Sequence, residues 1–120
     1  VAFAAVPGEN HALGAEMAAE YFRQNGWNAR LLVGLDHDAI LSELSESPCA
    51  VLGLSASGTD TALHALSRLM VAARLAHPHM TVIVGGGIVE TRTETLALLA
   101  PDHVFTSVTE ALSHLNRRTL

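Results

Sequence analysis

The sequence of 120 residues has a single cysteine, Cys49, and no lysine. One cysteine excludes an internal disulfide and a cysteine-built zinc site within this segment. No apolar run approaches the roughly 18 residues that a membrane-spanning helix needs, and no basic start precedes an apolar segment as in a signal peptide. We therefore expect a cytoplasmic protein that does not enter a membrane.

Basic residues are also scarce. All seven are arginines, scattered along the chain, and the formal net charge at pH 7 is −5. Binding to DNA or RNA requires a basic face, so we expect no direct nucleic-acid partner. With 49% hydrophobic residues, the chain can bury the core of one domain but not of two. Because the sequence opens inside an apolar run, we expect residues 1–120 to be a single domain of a longer regulatory protein.

Apolar runs alternate with helical patterns along the whole chain. Continuous or alternating apolar residues predict strands at 1–6, 28–33, 50–54, 81–84 and 103–106. Apolar residues at three- and four-residue spacing predict helices at 12–25, 38–44, 61–76, 94–99 and 108–118. This alternation indicates an α/β fold with a five-stranded parallel sheet and helices on both faces. For so short a domain we expect the flavodoxin-like, Rossmann-like strand order 2-1-3-4-5.

Two details of the helices are also predicted. In the first helix, Leu13, Met17 and Tyr21 repeat at four-residue spacing together with Ala18 and Phe22, and we expect this stripe to face the core. The second helix is expected to have Asp38 as its N-cap.

The turn between the first strand and the first helix carries the most distinctive residues. His11 follows Glu9 by two residues and precedes Gly14 by three. One ring nitrogen of a histidine can bind a metal while the other donates to a carboxylate, which fixes the tautomer. Glu9 and His11 could form that pair, although a lone loop histidine is more often simply solvated.

Three further turns would lie at the same edge of the sheet, after the third, fourth and fifth strands. They contain Ser55 to Asp60, Gly85 to Gly87, and Thr106 to Thr109. Small and hydroxylated residues allow a flat ligand to approach the backbone closely. Each turn also has a purely structural explanation, since glycines form tight turns and serine, threonine or aspartate caps the next helix.

Several functions of this fold are excluded by the residues at these turns. A phosphoacceptor receiver needs an aspartate at the end of the third strand and a lysine after the fifth, but the chain has Ser55 there and no lysine. The first turn lacks the serine, threonine and glycine content of a flavin phosphate loop. It also lacks the G-x-G-x-x-G pattern of dinucleotide-binding domains.

Glu9-Asn10-His11-Ala12-Leu13-Gly14 resembles the D-x-H-x-x-G signature of cobalamin-binding domains. Ser55-Ala56-Ser57 stands in place of the S-x-L of that family, and Gly85-Gly86 matches its G-G. The resemblance implies that His11 is the lower axial ligand of the cofactor metal, that Glu9 bonds to His11, and that the serine and glycines line a slot for the nucleotide tail. The cofactor-binding residues expected on this basis are Glu9, Asn10, His11, Gly14, Ser55, Ser57, Gly85, Gly86, Gly87 and Thr106.

The P-G-E-x-H-x-L-G form of the first turn resembles a branch found in bacterial regulators, including AppA-type antirepressors of photosynthesis genes. In that branch a domain of this fold is described as holding heme instead of cobalamin. The resemblance implies a non-enzymatic sensory domain that binds a tetrapyrrole, with heme favoured over cobalamin. Such a domain would pass redox or light signals to a neighbouring domain or a transcriptional repressor. Two alternatives stay open, a corrinoid carrier of a methyltransferase or mutase and a ligand-free protein-interaction module.

Overall fold

A computed structural model describes residues 1–8 and 12–119, without the side chains of Arg118 and Thr119. One parallel sheet is formed by β1 (Ala2–Ala5), β2 (Arg30–Leu32), β3 (Val51–Ser55), β4 (Thr81–Gly85) and β5 (His103–Val104). The helices are α1 (Leu13–Gln24), α2 (His37–Glu46), α3 (Asp60–Ala76), α4 (Ile88–Thr91), α5 (Thr93–Leu99) and α6 (Val108–Thr119). Within the described ranges, no helix is both long enough and apolar enough to cross a bilayer.

The strand order is β2-β1-β3-β4-β5, and every pair of neighbours is parallel. This arrangement confirms the predicted flavodoxin-like α/β fold. It follows from the alternation of strands and helices, because each right-handed crossover places its helix over one face of the sheet.

Helices cover both faces of the sheet, so the fold has two apolar cores. On one face, alternate strand residues such as Leu52 and Val84 pack with Leu66 and Met70 of α3 and with Leu44 of α2. The remaining strand residues face α1 and α6 and belong to a second cluster, which includes Phe3, Ile83, Phe105, Phe22 and Leu112. Burial on both faces explains why the central strands read as continuous apolar runs.

The face of α1 that meets the sheet agrees with the prediction for Ala18 and Phe22 but not for Leu13 and Met17. Leu13 and Met17 are 64% and 59% exposed, whereas Ala15, Ala18, Ala19 and Phe22 are buried. Both sets repeat at helical spacing, so periodicity alone cannot decide between two overlapping stripes. The alanines face inward, which allows the helix to lie close to the sheet.

Local assignments also differ at a few helix and strand ends. Asp36, not Asp38, caps α2, because its Oδ1 accepts a hydrogen bond from the Ala39 N–H at 2.8 Å. The short helix α4 was not predicted, and β5 ends at Val104, two residues earlier than expected. Trp27 packs edge-on against Phe22 at the corner between α1 and β2, with ring centroids 5.4 Å apart.

Candidate functional site

The turns that follow β1, β3 and β4 meet at one edge of the sheet. Ala5, Ser55 and Gly85 lie opposite one another in neighbouring strands. Just beyond them, the Val6 N–H donates to the Ser55 carbonyl and the Ala56 N–H donates to the Gly85 carbonyl, both at 3.1 Å. These bonds hold the exits of three strands side by side, as the sequence predicted for the edge where ligands bind in open α/β sheets.

The register of the strands places unusually small residues on the face that α1 covers. Gly53 pairs with Phe3 on one side and Ile83 on the other. Ser55 and Gly85 follow two residues further along their strands, so they share this face with Gly53. With no large side chain at these three positions, part of the space between the strand exits and α1 is left open.

A cleft of about 200 Å³ occupies this space and is called the slot here. Its walls come from α1, from the ends of β1, β3 and β4, and from the turn between β5 and α6. The lining residues are Phe3, Gly14, Ala15, Ala18, Gly53, Leu54, Ser55, Gly85, Gly86, Phe105, Thr106, Ser107 and Val108. None of these side chains is charged, so the slot suits a flat, largely apolar group with a few polar atoms near the strand exits.

Two phenylalanine rings contribute to the slot, and each lies over a glycine of a neighbouring strand. A Cβ on Gly53 would stand 2.5 Å from a ring carbon of Phe3, and a Cβ on Gly85 would stand 2.5 Å from two ring carbons of Phe105. Both glycines are therefore required by the packing of the protein's own rings. Gly14 has a different role, because a Cβ there would lie 3.4 Å from the Ser55 Oγ and reduce the space at the slot wall.

Glu110 organises the turn between β5 and α6. Its Oε2 accepts hydrogen bonds from the Thr106 hydroxyl at 3.1 Å and from the Thr106 N–H at 3.4 Å. The Ser107 Oγ in turn accepts from the Glu110 N–H at 3.2 Å, as an N-cap side chain does at the start of a helix. The Glu110 Oε1 also lies 3.6 Å from the Nε2 of His103, whose ring stacks on His114 with centroids 3.8 Å apart. The two slot hydroxyls of this turn are thus already held by the protein.

The turns after β3 and β4 are tied together beside the slot. Gly86 has a φ of +98°, and a Cβ on it would lie 2.4 Å from the Ala56 carbonyl oxygen. The Arg92 Nε donates to the Gly58 carbonyl at 3.0 Å, and its guanidinium pairs with Asp60. Thr59 caps α3 by accepting from the Ala62 N–H at 3.1 Å. The structural alternative considered for this turn, helix capping, is therefore correct for Thr59.

The structure brings half of the predicted site residues together. Gly14, Ser55, Gly85, Gly86 and Thr106 all line the slot. The other two residues that the structure describes stand beside it, Ser57 with its Oγ 3.3 Å from the Thr59 Oγ1 and Gly87 at the start of α4. Glu9, Asn10 and His11 lie outside the described residues.

The other eight slot residues were not among the predicted site residues, namely Phe3, Ala15, Ala18, Gly53, Leu54, Phe105, Ser107 and Val108. Only Gly53 carried a usable indication, because an isolated glycine within an apolar strand often marks a close approach of another group. Over the described ranges, no three histidine, cysteine, aspartate or glutamate side chains are arranged to hold a metal ion.

Comparisons with known proteins agree with this geometry. A family model described as "B12 binding domain" matches residues 1–116. A cobalamin-binding protein from Desulfitobacterium hafniense superposes with a TM-score of 0.83 at 18% identity, covering 97% of this chain and 57% of that one. The monomethylamine corrinoid protein of Methanosarcina barkeri gives a TM-score of 0.78 at 15% identity, covering 95% and 55% of the two chains.

A CheY-like protein, tadZ, from Pseudomonas aeruginosa is also similar, with a TM-score of 0.69, 17% identity and coverage of 98% and 97%. At such identities the likeness shows the fold alone. The chain spans between a half and two thirds of the length of the two corrinoid-binding structures it matches. No curated protein matches the sequence.

Proposed function

The chain belongs to the B12 binding domain family, and from this we propose that it binds a corrinoid at the carboxyl edge of its sheet. The observation that carries the proposal is the slot. Cobalamin has a nucleotide tail that ends in a flat aromatic base, in addition to its corrin macrocycle. The uncharged slot, walled by glycine and alanine and closed by two phenylalanine rings, fits such a base. The bound corrinoid would supply a cobalt ion whose axial ligands can exchange.

Cobalamin is accordingly placed ahead of heme, which reverses the preference drawn from the sequence. The family match and the corrinoid-binding neighbours support cobalamin, and none of the comparisons supports heme. Heme also has no nucleotide tail that could occupy the slot at the strand exits, whereas cobalamin does. Heme is retained as a test ligand.

His11 is proposed as the axial ligand of the cobalt, with Glu9 as the carboxylate that orients it. The proposal rests on the motif and on the position of Gly14 in the slot wall. A carboxylate bonded to the second ring nitrogen would fix the tautomer in which the first nitrogen is free to bind metal.

We further propose that the domain is a sensory module and not an enzyme by itself. Among the residues that the structure describes, none that lines the slot has an ionisable side chain for acid-base catalysis. The cofactor would act through linkage, because a ligand that binds one arrangement of the exposed edge more tightly shifts the domain toward that arrangement. A neighbouring domain or a transcriptional repressor would read the difference, with light or redox state as the input.

Two other functions remain as competitors. One is a corrinoid carrier, a role suggested by the name of the monomethylamine corrinoid protein among the similar structures. Transfer of the methyl group from a methylcobalamin-loaded domain to a thiol, without any second protein, would contradict the non-enzymatic proposal. The other is a ligand-free interaction module, for which Glu9 and Ser57 are the relevant departures from the family pattern.

The test is an absorption titration of the cofactor-free domain with hydroxocobalamin and, separately, with hemin. Each titration is repeated on His11→Ala and on a control, His79→Ala, which alters an exposed histidine between α3 and β4. If a tetrapyrrole buries roughly 400 Å² of apolar surface, about 10 kcal/mol of gross transfer free energy is available before association costs. We therefore expect His11→Ala to change the spectrum of bound cobalamin more than it weakens binding.

Each result has a distinct meaning. An unchanged spectrum in His11→Ala would remove His11 from the axial position while leaving corrinoid binding intact. Saturable binding of hemin with no response to hydroxocobalamin would restore the heme hypothesis. No response to either compound would favour the interaction module.

A further inference from the structure

The residues that line the slot restrict the polarity of the group that it can hold, as well as its shape. We propose that Phe3 and Phe105 make it selective for an apolar bicyclic aromatic base over a purine. Resting on the proposed corrinoid binding, this inference names the class of corrinoid that the domain would take.

The first argument is the polarity of the lining. Apart from the hydroxyls of Ser55, Thr106 and Ser107, every side chain that lines the slot is apolar or absent. The Thr106 hydroxyl donates its hydrogen to Glu110, and the Ser107 Oγ accepts from the Glu110 N–H. A purine would bring an exocyclic amine and ring nitrogens into these surroundings. Its polar groups would lose their hydrogen bonds to water without gaining protein partners. We expect this loss to weaken binding of a purine tail about tenfold or more relative to an apolar base.

The second argument is the placement of the rings. Phe3 belongs to β1 and its ring lies over Gly53, whereas Phe105 follows β5 and its ring lies over Gly85; both rings line the slot. Phe3 is held from behind by Phe22, edge-on, with ring centroids 4.9 Å apart. Phe105 is buried and tied to β4 through its N–H, which donates to the Val84 carbonyl at 3.0 Å. Aromatic surfaces held in this way favour contact with another apolar aromatic ring.

The test compares the affinity of the domain for three corrinoids that differ only in the tail. Cobalamin carries 5,6-dimethylbenzimidazole, a second analogue carries adenine, and cobinamide has no base. We expect cobalamin to bind about tenfold or more tightly than the adenine analogue, and cobinamide to bind more weakly than cobalamin. Equal dissociation constants for all three would overturn the inference while leaving corrinoid binding established. Failure to bind any of them would overturn the proposed function and this inference with it.

A variant links the selectivity to a residue. Phe105→Leu removes an aromatic face and leaves room for a polar group with its water. We therefore expect the dissociation constant of the adenine analogue, divided by that of cobalamin, to fall toward one. The control is Leu66→Val, a buried change under α3 on the opposite face of the sheet, which should leave the ratio unchanged. A ratio that is the same in Phe105→Leu as in the control would remove Phe105 from the proposal. If Phe105→Leu does not fold, the comparison of the three corrinoids on the unmodified domain still decides the inference.

Discussion

The ring of Phe105 occupies the space in which a side chain at Gly85 would stand. A Cβ on Gly85 would lie 2.5 Å from two of the ring carbons and 3.0 Å from a third, distances that no ordinary packing permits. One side of the slot is therefore shaped by a pair of residues that are twenty positions apart in the sequence. The pair couples the stability of the domain to the shape of its site.

Gly85→Ala is expected to destabilise the domain by about 1–3 kcal/mol, because the added methyl group must displace a buried ring. The measurement is urea denaturation followed by circular dichroism. In the double variant Gly85→Ala/Phe105→Leu the smaller side chain can make room, so the combined cost should be less than the sum of the two single costs. Additive costs would show that the two side chains do not compete for the same space.

Gly86 and Gly87 are adjacent but should respond very differently to alanine. Gly86 has a φ of +98° and no room beside the Ala56 carbonyl, so Gly86→Ala should cost about 2 kcal/mol or more. Gly87 has a φ of −59°, and a Cβ on it would meet its nearest neighbour at an ordinary 3.8 Å. Gly87→Ala should therefore leave the melting temperature nearly unchanged. Similar losses in both variants would contradict this account of the turn.

Arg92 is expected to contribute more through the Gly58 carbonyl than through its ion pair. The Asp60 side chain is 90% exposed while that of Arg92 is 33% exposed. Exposed ion pairs add little stability, so Asp60→Asn should cost less than about 1 kcal/mol. Arg92→Lys should cost about 1–2 kcal/mol, because a single ammonium group cannot serve both acceptors.

Urea denaturation of the two variants, with Arg68→Lys on the exposed side of α3 as the control, measures these costs. A loss in Asp60→Asn equal to that in Arg92→Lys would show that the ion pair dominates. In that case the turn after β3 would be held by charge and should loosen in high salt.

Much of the fold could be predicted because its determinants are local. Each central strand is a short apolar run, each helix has its own periodicity, and their alternation permits few topologies. The predicted stripe of α1 was right for Ala18 and Phe22 but wrong for Leu13 and Met17. Those two have the same four-residue spacing as Ala15 and Ala19, which are buried in their place. Choosing between overlapping stripes requires knowing how closely the helix approaches the sheet.

The candidate site was predictable as far as strand exits could be recognised. Ser55, Gly85, Gly86 and Thr106 were expected at one edge and do line the slot. Phe3 and Phe105 were not, because their contribution depends on which residues of neighbouring strands lie opposite them. The roles of Glu9 and His11 stay predictions.

By itself, the sequence determined the class of the domain, the order of its strands and the edge at which its small and hydroxylated turns meet. These follow from hydrophobic periodicity, which is local in the sequence, and from the right-handedness of crossovers, which holds for nearly all parallel sheets. Only the tertiary structure decided that Gly53 and Gly85 share one face with two phenylalanine rings above them. The register between parallel strands is set by the packing of whole helices on the sheet, and the slot exists because that register gathers small residues from distant parts of the chain.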